Sequence, residues 1–138
     1  MDPAAKERFR TAQVARLATI TPGGAPHLVP VVFALVDDSV WLVVDTKPKS
    51  GRPLQRLANI GAHPRVSLLV DHYDDDWSAV WWVRADGVAA IVPIDDPQGE
   101  GALAALAAKY PQYAVEPPPG PLIRIEVGTW RSWAASGS

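Results

Sequence analysis

Between residues 16 and 45 the chain alternates runs of aliphatic and β-branched residues with short segments that suit only turns, and few folds accept that pattern. The run 16–21 stops at Pro22-Gly23-Gly24, the long run 27–36 stops at Asp37-Asp38-Ser39, and the run 40–45 follows. Runs of this kind joined by Gly, Pro and Asp predict an antiparallel meander. Pro30 falls inside the second run, where it has no N–H to give a ladder. That stretch is therefore expected at an edge, a bulge or a gap in the sheet, and a gap lets a ligand meet backbone groups.

The remaining chain reads the same way. Asp2-Pro3 opens a helix expected to reach about Val14, with a carboxylate cap and proline at the first helical position. Pro53 opens a second helix to about Gly61, stopped by His63-Pro64 before a strand over 65–72. The stretch 80–92 is a bent strand or a hairpin, interrupted at Asp86-Gly87. Residues 99–110 carry Leu103, Leu106 and Ala107 at helical spacing, and Leu122 to Val127 alternates as a half-buried final strand. Six or so strands, with two or three short helices and no regular strand–helix alternation, argue against a doubly wound parallel sheet. The expectation is a mainly β chain: a small antiparallel β-barrel, one domain over 1–138.

Composition narrows the chemistry. The absence of cysteine removes disulfides, thiolate metal sites and a cysteine nucleophile. His27, His63 and His72 are scattered, without the spacing of a triad or a metal site, so structural roles are expected and neither a catalytic side chain nor a metal ligand is assigned. No segment approaches the ~18 uninterrupted apolar residues of a membrane span, so a soluble, cytoplasmic protein with no membrane partner is expected. A net charge of -2 offers no global attraction to nucleic acid.

Positive charge is nonetheless concentrated. No acidic residue occurs between Thr46 and Val70, while Lys47, Lys49, Arg52, Arg56 and Arg65 supply five of the 13 Lys and Arg. On a helix opened by Pro53, Arg56 and Asn59 share a face with Arg52, and Leu54, Leu57, Ala58 and Gly61 form the opposite, core-facing stripe. Cations beside a helix N-terminus, with Ser50-Gly51 allowing close backbone approach, describe a phosphate site. A solvated basic face is the plainer reading of such a run, and the lack of interspersed acids argues against it. The acidic run Asp71, Asp74, Asp75, Asp76 just beyond would repel a long polyanion, so a small phosphorylated ligand is preferred to nucleic acid.

Aromatic residues cluster next. Trp81 and Trp82 on one strand point to opposite faces, so one indole leaves the core of its own barrel. Core or dimer packing is the plain reading of both; Trp77, on a loop, is the better ligand candidate. Tyr110 and Tyr113, flanking Pro111, read as loop packing.

The order Leu28-Val29-Pro30-Val31-Val32-Phe33, then Asp45-Thr46-Lys47-Pro48-Lys49, then Arg56-Leu57-Ala58-Asn59-Ile60 with His63-Pro64-Arg65-Val66, resembles the split β-barrel flavoproteins related to pyridoxamine 5′-phosphate oxidase. Within that superfamily the chain is most similar to the actinobacterial coenzyme F420-dependent oxidoreductases, notably along Leu68-Leu69-Val70-Asp71-His72-Tyr73 and Trp81-Trp82-Val83-Arg84-Ala85-Asp86-Gly87. The resemblance implies an FMN-binding-like split β-barrel, a homodimer with coenzyme sites at the subunit interface, and hydride transfer between F420 and a small-molecule substrate. It implies phosphate and tail contacts from Lys47, Lys49, Arg52, Arg56 and Asn59, with Thr46 beside them. Val31 and Val32 would offer backbone to the ring, and Trp77 would approach from the partner chain. Two alternatives stay open: an FMN-binding or haem-associated member of the superfamily, and a non-catalytic F420-binding or storage protein.

Overall fold

The computed structural model describes residues 1–45 and 54–136. Helix α1 spans Pro3–Thr11, with the Asp2 carboxylate accepting from the Ala4 N–H at 3.0 Å. It ends short of Val14 because Ala12 turns extended to feed the first strand, and it lays Ala5 and Phe9 on the core. The strands are β1 (Ala15–Ile20), β2 (Pro26–Val31), β3 (Ala34–Val36), β4 (Ser39–Val43), β5 (Arg65–His72), β6 (Trp81–Val92) and β7 (Leu122–Ala134). Between them lie α2 (Gln55–Ala62), α3 (Glu100–Lys109) and α4 (Gln112–Val115). The chain is mainly β, as expected, with seven antiparallel strands in the order β2-β1-β5-β6-β7-β4-β3.

That order corrects the meander. β1–β2 and β3–β4 are antiparallel hairpins, yet β2 and β3 occupy opposite edges of the sheet. The run 27–36 is thus two strands, and the chain passes from one edge to the other through Val32-Phe33, which belong to neither. Barrel closure imposes the break: Phe33 turns fully inward, against the Phe9 ring at a centroid distance of 5.0 Å. Pro30 lies on the edge strand β2, where its missing N–H costs no ladder bond to a second neighbour.

β6 is one bent strand rather than a hairpin. It pairs with β7 from Trp81↔Ala134 to Val92↔Leu122, and the register shifts at Asp86/Gly87 so that Gly128 faces no partner. Such a bulge bends both strands and lets the sheet curl. β7 continues well past Val127, because β6 offers a partner along its whole length.

Strand alternation sorts the side chains. On β1, Ala15, Leu17 and Thr19 face in while Arg16, Ala18 and Ile20 face out. Phe9, Leu17, Phe33, Leu42, Leu68, Val83, Ile123 and Ile125 belong to the barrel core. A second cluster, including Trp41, Val43, Val92, Leu106, Tyr110 and Leu122, fills the space beneath α3.

Candidate functional site

Of the expected coenzyme contacts, Thr46, Lys47, Lys49 and Arg52 lie outside the described residues, as do Pro53 and Ser50-Gly51. Arg56 stands in the first turn of α2, half-buried, and its charge is felt by the Tyr113 phenol. Leu54, at the N-cap, has no side-chain oxygen and so does not itself cap the first-turn N–H groups. The two expected faces of α2 are redrawn: Ala58 and Gly61 are exposed, whereas Asn59 and Ile60 are buried. Ile60 joins the barrel core, and the Asn59 amide donates to Thr19 Oγ1 at 2.9 Å while accepting from Gln55 Nε2 at 2.7 Å. A buried amide needs such partners, and Thr19 on β1 supplies one. His63 ends the helix as expected, its N–H donating to the Asn59 carbonyl at 2.7 Å.

Val31 turns its side chain into the core, and Val32 packs against the cluster under α3. Trp77 opens a single 3-10 turn, Trp77–Ala79, held by the Asp76 carboxylate accepting from Ser78 N–H at 3.1 Å and Ser78 Oγ at 2.7 Å. Those bonds keep the Asp76 carboxyl below its usual range. Trp77 itself is 73% exposed. It does not meet Arg56 within one protomer. Thr19, which holds Asn59, is next to the Ala18↔Ser67 pair near the start of β5, while Trp77 follows the far end of that strand, on the order of 20 Å away.

Sequence reasoning passed over the elbow between α3 and α4. Tyr110, read as loop packing, is buried, and its hydroxyl accepts the Phe33 N–H at 3.1 Å. Its single proton is offered to the carbonyls of Gln13 at 2.9 Å and Phe33 at 3.0 Å. Lys109 donates to the carbonyls of Phe33 and Arg10, both at 3.0 Å, with its ammonium 3.9 Å from the Phe33 ring centre. Burial and then the nearby Arg10 guanidinium pull the lysine down to about 8, against the pull of two carbonyls and the ring face. Tyr113 donates to Asp45 Oδ2 at 2.9 Å, and burial, followed by that carboxylate, pushes its phenol far above the ordinary range.

The outer face of the sheet is the other feature with chemistry. A cleft of about 480 Å³ is lined by Arg16, Leu28, Leu69, Asp71, Trp82 and Arg84 among others. Arg84 lies directly opposite Arg131, and Trp82 directly opposite Trp133. Like charges set across a strand pair repel, and Asp86 offsets this by accepting from Arg84 Nε at 3.0 Å and Ser67 Oγ at 2.7 Å. The signal was present in the spacing: Trp82, Arg84 and Asp86 alternate onto one face. The inward Trp81 instead stacks on His72 at 5.9 Å. Among the described residues, no group of three or more His, Asp or Glu could hold a metal ion, and no helix is long and apolar enough to cross a membrane.

Known proteins place this architecture. Compared with curated proteins, the chain finds no match. Among solved structures it is similar to Rv2991, a conserved hypothetical protein from Mycobacterium tuberculosis, with 28% identity, a TM-score of 0.77, and 98% of this chain and 86% of that one covered. A protein described as an F420 reductase shares 24% identity at a TM-score of 0.71, over 95% and 98% of the two chains. The heme storage protein HutZ from Vibrio cholerae shares 16% identity at a TM-score of 0.74, over 96% and 93%. The last two likenesses are of fold. The family model described as pyridoxamine 5′-phosphate oxidase matches residues 1–134, nearly the whole chain. The seven-stranded barrel split between β2 and β3 belongs to the pyridoxamine 5′-phosphate oxidase family.

Proposed function

We propose that this protein binds the deazaflavin coenzyme F420 and acts as an oxidoreductase on a small organic substrate. The observation that carries the reading is Arg56 in the first turn of α2, its charge acting on the Tyr113 phenol, whose hydroxyl holds Asp45 immediately before the cationic segment. First-turn N–H groups and guanidinium together favour a phosphate. Lys47, Lys49, Arg52 and Arg56 would hold the phosphate and tail, with Thr46 beside them, and the backbone of Val31 and Val32 would flank the ring. Asn59 would act by fixing α2 on β1, since its amide is engaged there. The bound coenzyme would supply the hydride chemistry.

A homodimer suits the surface. Leu28, 67% exposed, with Leu69, Val88 and Trp133, leaves large apolar groups on the outer sheet face. Trp77 of the partner subunit could reach a coenzyme that Trp77 of the same chain, at the far end of β5, could not. The preference for the deazaflavin over FMN rests on the sequence resemblance, and a protein of this fold described as an F420 reductase is consistent with it. A solved FAD-binding protein from Mesorhizobium loti with this fold, and the heme storage protein HutZ, keep flavin binding or haem association as a second reading, beside non-catalytic F420 storage.

Titrating the purified protein with F420 and with FMN, followed by absorption and fluorescence, tests this. Tight F420 binding that is lost in Lys49→Ala or Arg52→Ala, with oxidation of reduced F420 by an enone or quinone, is expected. Co-purifying yellow flavin with indifference to F420 would assign FMN. Binding of F420 without turnover across a broad substrate screen would make this a storage protein, and failure with both coenzymes would sink the proposal.

A further inference from the structure

The α3–α4 elbow links the two stretches of backbone on which the coenzyme reading rests. Tyr110 holds Phe33 at the crossing between sheet edges, and Tyr113 holds Asp45, the last described residue before the cationic segment. The two rings meet edge-on at 6.0 Å. One short piece of chain thus touches both.

The hydrogen bonds at the crossing dictate an orientation. The Tyr110 proton cannot serve Gln13 and Phe33 carbonyls at once, and the Lys109 ammonium at the Phe33 carbonyl leaves that proton free for Gln13. The Phe33 N–H is pinned toward Tyr110 at 3.1 Å. The Val32–Phe33 peptide is trans and planar, so the Val32 carbonyl must point the opposite way, away from the Tyr110 hydroxyl. Turning that acceptor would break the Phe33–Tyr110 bond. Elsewhere in the sheet a neighbouring strand fixes such directions; at Val32 and Phe33 the elbow does.

We propose that Tyr110, with Lys109 and Tyr113, is the positioning element of the coenzyme site. Tyr110 and Lys109 aim the Val32 carbonyl at a ring N–H, and Tyr113 fixes Asp45 relative to that carbonyl. Flavin and deazaflavin share an imide N–H flanked by carbonyls, the donor class that a fixed backbone acceptor selects. None of the three side chains need touch the coenzyme. The inference rests on the coenzyme reading above.

The test compares wild type, Tyr110→Phe, Tyr113→Phe and Leu106→Val by absorption titration with F420 and FMN. Tyr110→Phe is expected to raise the Kd about tenfold and to move the bound coenzyme's band toward its free position, as one oriented hydrogen bond is lost. Tyr113→Phe is expected to raise the Kd about threefold without moving the band, an effect that fades at high salt as electrostatic contacts are screened. Leu106→Val, which trims a buried residue of the same helix, is expected to lower the melting temperature and leave Kd and band alone. Should Tyr110→Phe not fold, Lys109→Met removes one donor to the same carbonyl and is read by a smaller band shift in the same direction. A wild-type protein that binds coenzyme, with folded Tyr110→Phe unchanged in Kd and band, overturns the positioning role alone. Wild type binding neither coenzyme overturns the coenzyme reading and this inference with it.

Discussion

Along β6 and β7 two strands face each other from Trp81↔Ala134 to Val92↔Leu122, whereas at Val32-Phe33 the chain crosses between sheet edges with no strand alongside among the described residues. The long ladder is held by backbone, so most changes of side chain leave its bonds in place. The crossing is held by the hydroxyl of Tyr110 and the ammonium of Lys109. A ladder is damaged by what intrudes on it; the crossing is damaged by what is taken away. Of the expected coenzyme contacts, Val32 falls at the second kind of place, where two side chains fix the direction of the backbone.

The largest effect is expected where the ladder admits no side chain. Gly87 stands on β6 at the register shift opposite the bulge of β7, and a Cβ there would collide with the Glu126 carbonyl of β7 and crowd the Ile125 side chain. Because backbone on both sides must move, Gly87→Ala should destabilise by about 3 kcal/mol in urea unfolding. A loss below about 1 kcal/mol would mean that the bulge relaxes and the ladder is less rigid than its register suggests. At the crossing, Tyr110→Phe keeps the ring and removes one hydroxyl, leaving the Phe33 N–H without its acceptor. About 1 to 2 kcal/mol should be lost, with faster hydrogen exchange at the Phe33 amide. If that amide exchanges as in wild type, the crossing is held by something other than Tyr110.

The same contrast explains what could be read from sequence. Turns, the Asp2 cap, strand β5, the Asp86-Gly87 bulge and helix α3 follow from local chemistry, and each was legible. The break at Val32-Phe33 was not, because Val-Val-Phe-Ala-Leu-Val suits one uninterrupted strand and only closure of the barrel divides it. β7 was read too short because Gly128 looks like a strand end until β6 is laid beside it. At the candidate site, Arg56 on an amphipathic α2 was legible, but the inward turn of Asn59 depends on Thr19, 40 positions earlier. Lys109 and Tyr110 escaped for the same reason, their partners Arg10, Gln13 and Phe33 lying far back in the chain. Long-range hydrogen bonding leaves no periodic trace in sequence.

Solvent screening at the half-exposed ammonium makes the smallest expected effect the one that tests how far Lys109 carries the crossing, and its sign follows from where its proton is bound. The folded chain releases that proton near pH 8, the unfolded chain only near 10.5. Between those values the unfolded state binds more protons, so stability should rise with pH from about 8 upward. Tyr110 and Tyr113 work in the other direction. Burial raises both phenols above 10.0, so the folded state holds their protons longer, and stability should fall as pH climbs past that point. The pair of opposed slopes predicts a shallow stability maximum near pH 10 in urea unfolding followed across pH 7 to 11. Lys109→Met should flatten the rising limb and leave the falling one. A rising limb that survives in Lys109→Met would place the titrating group elsewhere. A wild-type curve flat from 8 to 10 would mean that the Phe33 and Arg10 carbonyls, together with the Phe33 ring, fully offset the burial of the ammonium, making the crossing a charged clamp throughout the physiological range.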